Sequence, residues 1–294
     1  MMHRVSVHAH YWPERNPLYI RTIKVEEPIG HLLFVHASTV HSDFYMPLAI
    51  SLAQAGFRVW LPDLRGHGRS FGTRGHIKSF DSYVKDIIAV WHHFLASTTD
   101  HAPAVIGGES LGGLIACLAA QNSIQCQGLF VTSPALALNF SLPPTIAPHL
   151  WRWQSIIGRL HSILPLPLRG ITVNPQIMDL IHRDPLTTHH YTLGFLLQLF
   201  AAQQRMPHPM DLTCPSLAVF SHHDPIIDAL QSATLFSGTP GSTVEFVDGI
   251  LHSVVADAPE YLRDTFLAWY REQVLKSSTT HSQSSPTRYD QTLS

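Results

Sequence analysis

The chain of 294 residues is poor in charge: Lys and Arg number 19 and Asp and Glu 21, together 14% of the sequence, against ~25% in an average soluble domain. With a formal net charge of −2 there is no basic surface on which DNA or RNA would dock, so no nucleic-acid partner is expected. Cysteine is scarce. Cys117, Cys126 and Cys214 form an odd set without CxxC spacing, so neither a disulfide framework nor a zinc ribbon is indicated, and buried small hydrophobes are the reading. Also missing is any clean run of about 18 apolar residues, and the N-terminal "MMHRVSVHAHYWPERNP" has no signal-peptide core. The expectation is a soluble, cytoplasmic protein that uses no cofactor.

Histidine, by contrast, is abundant: 21 residues, with adjacent pairs at His92-His93, His189-His190 and His222-His223. Adjacent side chains on a helix or strand diverge, so such a pair is a poor chelate. HExxH spacing is missing too, and no metal site is expected.

From Gly30 onward a strand–helix rhythm sets in. His31-Leu32-Leu33-Phe34-Val35-His36 is a continuous apolar run of the kind buried in a parallel sheet; "MPLAISLAQAGF" reads as a helix closed by Gly56, and Arg58 to Pro62 as the next strand. The glycine-rich "DLRGHGRSFGTRGH" leads into a helix over "SFDSYVKDIIAVWHHFLAS". Strands at Ala104 to Gly107, Gln127 to Thr132, Ser216 to Phe220 and Thr243 to Val247 follow, with helices at "LGGLIACLAAQN", Pro225 to Phe236 and Pro259 to Leu275. This alternation predicts an α/β fold with a mostly parallel, doubly wound sheet and functional loops at the strands' carboxyl ends. The rhythm breaks over the proline- and tryptophan-containing middle. The expected organisation is an N-terminal segment (1–29), a core in two pieces (30–133 and 210–276), a cap insertion (134–209) and a disordered polar tail (277–294).

Gly108-Glu109-Ser110-Leu111-Gly112 matches G-x-S-x-G, and a strand before it with a helix after it is the context in which the serine becomes an exposed nucleophile. Its partners should follow in the order acid, then histidine. Of the histidines beyond residue 224, His281 lies in the tail, which leaves His252 as the base. Among the intervening acids, Asp179, Asp184 and Asp211 belong to or border the cap, Glu245 lies within a strand, and Asp248 also precedes His252. Asp224 sits just past a strand's carboxyl end and is the expected orienting acid; Asp228 is its competitor, read as a first-turn carboxylate of a helix. Stabilising an oxyanion takes two N–H donors, assigned to Leu111, after the nucleophile, and Ser38, in the loop after the first core strand, with Ala37 as the alternative. Glu109 stays open, either bonded within the elbow or approaching the substrate.

These segments resemble the α/β-hydrolase superfamily and, within it, the monoacylglycerol lipase and lysophospholipase-like branch. The likeness runs in order from "FVHASTVHSDFYMPLAISLAQAGFRVWLPDLRGHGRSFGTRGHIKSFDSYVKDI" through the cap stretch "DPLTTHHYTLGFLLQL" to "CPSLAVFSHHDPIID" and "DGILHSVVADAPE". The resemblance implies an esterase with Ser110 as nucleophile, Asp224 as acid, His252 as base and the Ser38 and Leu111 amides as oxyanion hole. Its implied substrate is a single-chain lipid ester; thioesters, small esters, prolyl peptides and an inactive binding protein are the alternatives. Where relatives carry His-Gly, this chain has His36-Ala37, which removes the most permissive backbone residue of the oxyanion loop. Asp63, Arg65, Gly66, His67, Gly68 and Ser70 read as turn architecture. The segment from Leu150 through Trp151 and Trp153 to Leu168 reads as cap packing over the pocket or as a transient membrane contact.

Overall fold

The computed structural model describes residues 4–122, 124–140 and 170–276. The segment 150–168 and the tail 277–294 lie outside these residues.

Eight strands form one sheet: β1 (Ser6–Trp12), β2 (Leu18–Lys24), β3 (Gly30–Val35), β4 (Phe57–Pro62), β5 (Ala104–Glu109), β6 (Gly128–Thr132), β7 (Ser216–Ser221) and β8 (Ser242–Val247), in the order β1-β2-β4-β3-β5-β6-β7-β8. From β4 to β8 every pairing is parallel, whereas β1 with β2 and β2 with β4 are antiparallel. Parallel strands need helical crossovers, and those helices cover both faces; hence every residue of β3, β5, β6 and β7 is buried. Successive side chains alternate faces, so Leu32, Phe34 and Val105 join one core cluster while Leu33, Val35 and Ile106 join the other. After the helix α1 (Met46–Gln54), the helix α2 (Asp81–Ala96) buries Tyr83, Val84, Ile87, Val90, Trp91 and Phe94, one stripe at helical spacing, against the second of these clusters.

The strands β1 and β2 are a finding beyond the sequence reading of residues 1–29. The edge strand β1 exposes nearly all its side chains, so it carries no core-directed apolar pattern, yet its register with β2 runs unbroken from Ser6↔Lys24 to Trp12↔Leu18.

Between β6 and β7 two helices are described, Pro175–Arg183 and Leu193–Gln203. The stretch between them is sewn onto the core. The Thr188 N–H donates to the Thr39 carbonyl (2.9 Å), the Tyr191 hydroxyl to the Ser38 carbonyl, and the Thr192 N–H to the Gly75 carbonyl (2.9 Å). A Cβ on Gly75 would run into the His190 carbonyl, so a glycine there permits this close approach. Among the described residues no helix is long and apolar enough to cross a membrane.

Candidate active site

Ser110 stands between β5 and the helix α3 (Leu111–Asn122) with φ +54°, a left-handed conformation rare for a residue with a Cβ. Such a position costs about 1–3 kcal/mol and persists only where the surroundings over-determine it. Here they do. The Ser110 N–H donates to the Thr132 carbonyl (3.0 Å), and its own carbonyl accepts from the N–H groups of Leu114 (3.1 Å) and Ala135 (2.9 Å). Glycines are needed on either side because α3 begins directly against β3: a Cβ on Gly108 would lie 2.5 Å from the Gly112 carbonyl carbon, and one on Gly112 would strike the Val35 carbonyl.

The structure brings Asp224 and His252 together, with His252 Nδ1 2.7 Å from Asp224 Oδ2. Donation from Nδ1 leaves Nε2 as the basic ring atom. The other carboxylate oxygen of Asp224 accepts the N–H groups of Ile226 (2.8 Å) and Ile227 (2.9 Å), which fixes the carboxylate in a tight turn. Burial alone would raise the Asp224 pKa, but the His252 ring and these two amides outweigh it and the net shift is downward. Burial would likewise depress His252; Asp224, with a contribution from Glu109, outweighs it and raises the pKa. Asp228 is elsewhere, capping the helix Ala229–Thr234 by accepting the Gln231 N–H (2.9 Å).

Glu109 is 1% exposed and surrounded by donors: the hydroxyls of Tyr45 (2.7 Å), Ser253 (3.1 Å) and Thr132 (3.3 Å) and the Val255 N–H (3.3 Å). Burial raises its pKa, against lowering by His252 and by the bonds from Tyr45, Val255 and Ser253. The Tyr45 hydroxyl, whose oxygen already accepts the Ala37 N–H, and the Val255 N–H can only donate to it, and such donation favours the carboxylate against its burial. Tyr45 and Ser253 escaped the sequence reading because they lie 64 and 144 residues from Glu109 and belong to no motif.

Ala37 N–H donates to the Tyr45 hydroxyl (2.9 Å), so that amide is already engaged. The Ser38 N–H has no hydrogen-bond partner among the described residues. Leu111 opens α3, where first-turn N–H groups lack an intrahelical acceptor. Ala37 is not among the described residues with positive φ, so alanine replaces glycine there without backbone strain. His36 braces the loop from below: its Nδ1 donates to the Ala37 carbonyl (2.7 Å), its Nε2 accepts the Leu64 N–H (2.8 Å), and burial pushes its pKa down to about 3, so it stays neutral. The Asp63 carboxylate accepts the N–H groups of Ser42 and Arg69 (both 2.8 Å), and the Ser70 hydroxyl donates to its carbonyl (2.6 Å), which is turn architecture.

Ser110, Ser38, Leu111 and His252 line one cavity, whose remaining wall is mostly apolar: Phe44, Leu138, Ile171, Phe195, Leu199 and Ile226. A second, 560 Å³ depression lies beyond Val40 and Phe44, which border both, and is lined by Leu48, Ile177, Leu180, Ile181 and Val255. Among the described residues no group of three or more His, Cys, Asp or Glu is arranged to hold a metal ion.

The chain is 25% identical over 255 residues to a monoacylglycerol lipase of Mycolicibacterium smegmatis, covering 83% of this chain and 88% of that one. It is 22% identical over 239 residues to the phospholipase YtpA of Bacillus subtilis, with 79% and 91% covered. The crystal structure of the Paleococcus ferrophilus monoacylglycerol lipase superposes with a TM-score of 0.73 at 24% identity, over 86% of this chain and 97% of that one, a likeness of fold. The family described as "Serine aminopeptidase, S33" matches residues 26–259, and the chain belongs to that family, an α/β-hydrolase of monoacylglycerol lipase-like build.

Proposed function

We propose that this chain, a carboxylic-ester hydrolase, cleaves single-chain lipid esters, a monoacylglycerol or a lysophospholipid, through an acyl-enzyme on Ser110. The observation that carries the reading is the strained elbow serine in the wall of an apolar cavity that also presents the Asp224-bound His252. Ser110 Oγ attacks the ester carbonyl and its proton passes to His252 Nε2. The developing oxyanion is met by the N–H groups of Ser38 and Leu111, and Asp224 stabilises the imidazolium that forms. His252 then protonates the departing alcohol. Water, deprotonated by the same ring, releases the fatty acid and restores the serine.

An aliphatic chain suits the lining of Phe44, Leu138, Ile171, Phe195, Leu199 and Ile226. A peptide with a charged amino terminus would need a free carboxylate. Among the described lining residues the acid is Glu109, whose oxygens are already occupied by donors. The named relatives, a lipase and a phospholipase, agree with a lipid ester.

A fluorophosphonate probe should label the protein at Ser110, and Ser110→Ala should abolish the label; a label persisting in that variant overturns the nucleophile. Hydrolysis should be compared across p-nitrophenyl esters of increasing chain length, a monoacylglycerol, lysophosphatidylcholine, a thioester and a prolyl peptide. The highest kcat/KM is expected on a single-chain lipid ester, and a preference for the peptide or the thioester refutes the substrate reading.

A further inference from the structure

Of the three cysteines, which read from the sequence as buried small hydrophobes, two meet. Cys126 precedes β6 and Cys214 precedes β7 by two residues each, and these strands pair in parallel with Leu129 opposite Ser216, so the two cysteines leave neighbouring strands at nearly matching heights. Their sulfur atoms lie 3.4 Å apart, and both are free thiols. The backbone around them is fixed: Leu129 N–H donates to the Pro215 carbonyl (3.0 Å) and Gln127 N–H to the Ala104 carbonyl (2.8 Å).

From this geometry we propose that Cys126 and Cys214 are a redox modification site, which hydroperoxides convert reversibly into an intramolecular disulfide. The pair is accessible, because Cys126 is partly exposed and both residues line a surface depression with Trp91, Leu95, His101 and Pro103. The contact also polarises the pair. Hydrogen bonding between the sulfurs, with burial, raises the Cys126 pKa, and the bond from Cys126 lowers that of Cys214, which makes Cys214 the more acidic thiol. Cys117 is the third thiol near Cys214. It is fully buried, and burial, with the neighbouring Cys214, pushes its pKa up.

The Cys214 thiolate attacks one oxygen of the hydroperoxide and breaks the O–O bond, giving a sulfenic acid and, after protonation, an alcohol (water from hydrogen peroxide). The Cys126 sulfur then attacks the sulfenyl sulfur, the S–S bond forms, and the hydroxyl leaves as water with the Cys126 proton. Two thiols are oxidised by two electrons while one peroxide is reduced, and a dithiol reductant reverses the change. The bond would close a loop containing the whole segment 134–209. It lies at the amino ends of β6 and β7, whereas Ser110 follows the carboxyl end of β5, so the chemistry at Ser110 is left untouched.

Full-length reduced protein treated with a slight excess of hydrogen peroxide is expected to lose about 2 Da per chain. Thiols titrated after denaturation should fall from the three of the sequence to one, peptide mapping should join Cys126 to Cys214, and dithiothreitol should restore the starting state. The oxidised chain should melt roughly 5 °C higher. Cys126→Ser and Cys214→Ser should each abolish the linked peptide and the rise in Tm without changing ester hydrolysis. Should the buried Cys214→Ser fail to fold, the partly exposed Cys126→Ser gives the same reading. Retention of three thiols, a linkage through Cys117, a linkage between chains, or oxidation that ends in sulfinic acid overturns the proposal.

Discussion

Replacing Tyr45 by Phe tests how far the oxyanion loop depends on a buried hydroxyl. Tyr45 is 1% exposed, and its oxygen accepts the Ala37 N–H at 2.9 Å while its proton goes to Glu109 at 2.7 Å. Phe keeps the ring and its packing on Phe34, so no hydrocarbon cavity opens. Two polar groups lose their partner. An orphaned buried amide costs about 1–3 kcal/mol, and loss of a hydrogen bond to a charged group about 1.5–3 kcal/mol. Allowing for partial relaxation, the variant should lose about 3 kcal/mol, or roughly 6–12 °C in Tm. The amide set free is next to Ser38, so the loop that carries the proposed oxyanion donor loses its tether on one side. His36 and Tyr191 still hold the loop on the other. An expected fall of about tenfold in kcat is therefore smaller than the ~10²–10³ of deleting an oxyanion donor outright. KM for a short p-nitrophenyl ester should change little, because the apolar wall is intact. Thermal unfolding and steady-state hydrolysis measure the two effects. A Tyr45→Phe protein within about 0.5 kcal/mol of wild type, with unchanged kcat, would falsify the tether argument.

Glu109→Gln removes a negative charge that helps to raise the His252 pKa, so the acidic limb of the kcat/KM profile should move to lower pH. The linked stability has a definite sign. A raised histidine pKa stabilises the fold below the unfolded value of ~6.5, and this is lost as pH rises through the folded pKa; the variant should therefore lose more of its stability at pH 5 than at pH 9, by denaturant titration. Gly112→Ala should not yield folded protein, since its Cβ would meet the Val35 carbonyl at the join of α3 and β3; a soluble, active variant refutes this. Phe44→Ala should open the partition between the cavity and the 560 Å³ depression beside it and shift the preferred acyl chain to greater length, measured on an ester series.

The buried strands were legible because burial on both faces leaves uninterrupted apolar runs such as Leu32-Leu33-Phe34-Val35, bounded by turn residues. The strand β1 was not legible, since an edge that exposes nearly all its side chains asks nothing apolar of them. The candidate site followed a similar division. Ser110, Asp224 and His252 could be named because the elbow motif and the order of the acids constrain them. The helix expected from Pro225 begins only at Ala229, because the Asp224 carboxylate holds the amides of Ile226 and Ile227 in a turn. The couplings of Tyr45, Glu109 and Ser253 depend on how distant loops meet, and no local spacing encodes that. The bond from the Ala37 N–H to the Tyr45 hydroxyl is likewise a meeting across a loop that no motif announces.

The three bonds that join Thr188, Tyr191 and Thr192 to Thr39, Ser38 and Gly75 bear on how new specificities are obtained in this family. Exchanging the whole insertion between relatives is an attractive way to change substrate range, because the sheet and the elbow stay in place. Here the stretch 188–192 is also a buttress, and Ser38 is one of the residues it supports. A chimaera that imports a foreign insertion without the 188–192 stretch would remove that support along with the old pocket, and its slow turnover would be mistaken for poor substrate fit. Grafts bounded so as to keep that stretch native would separate what the insertion selects from what it holds in place.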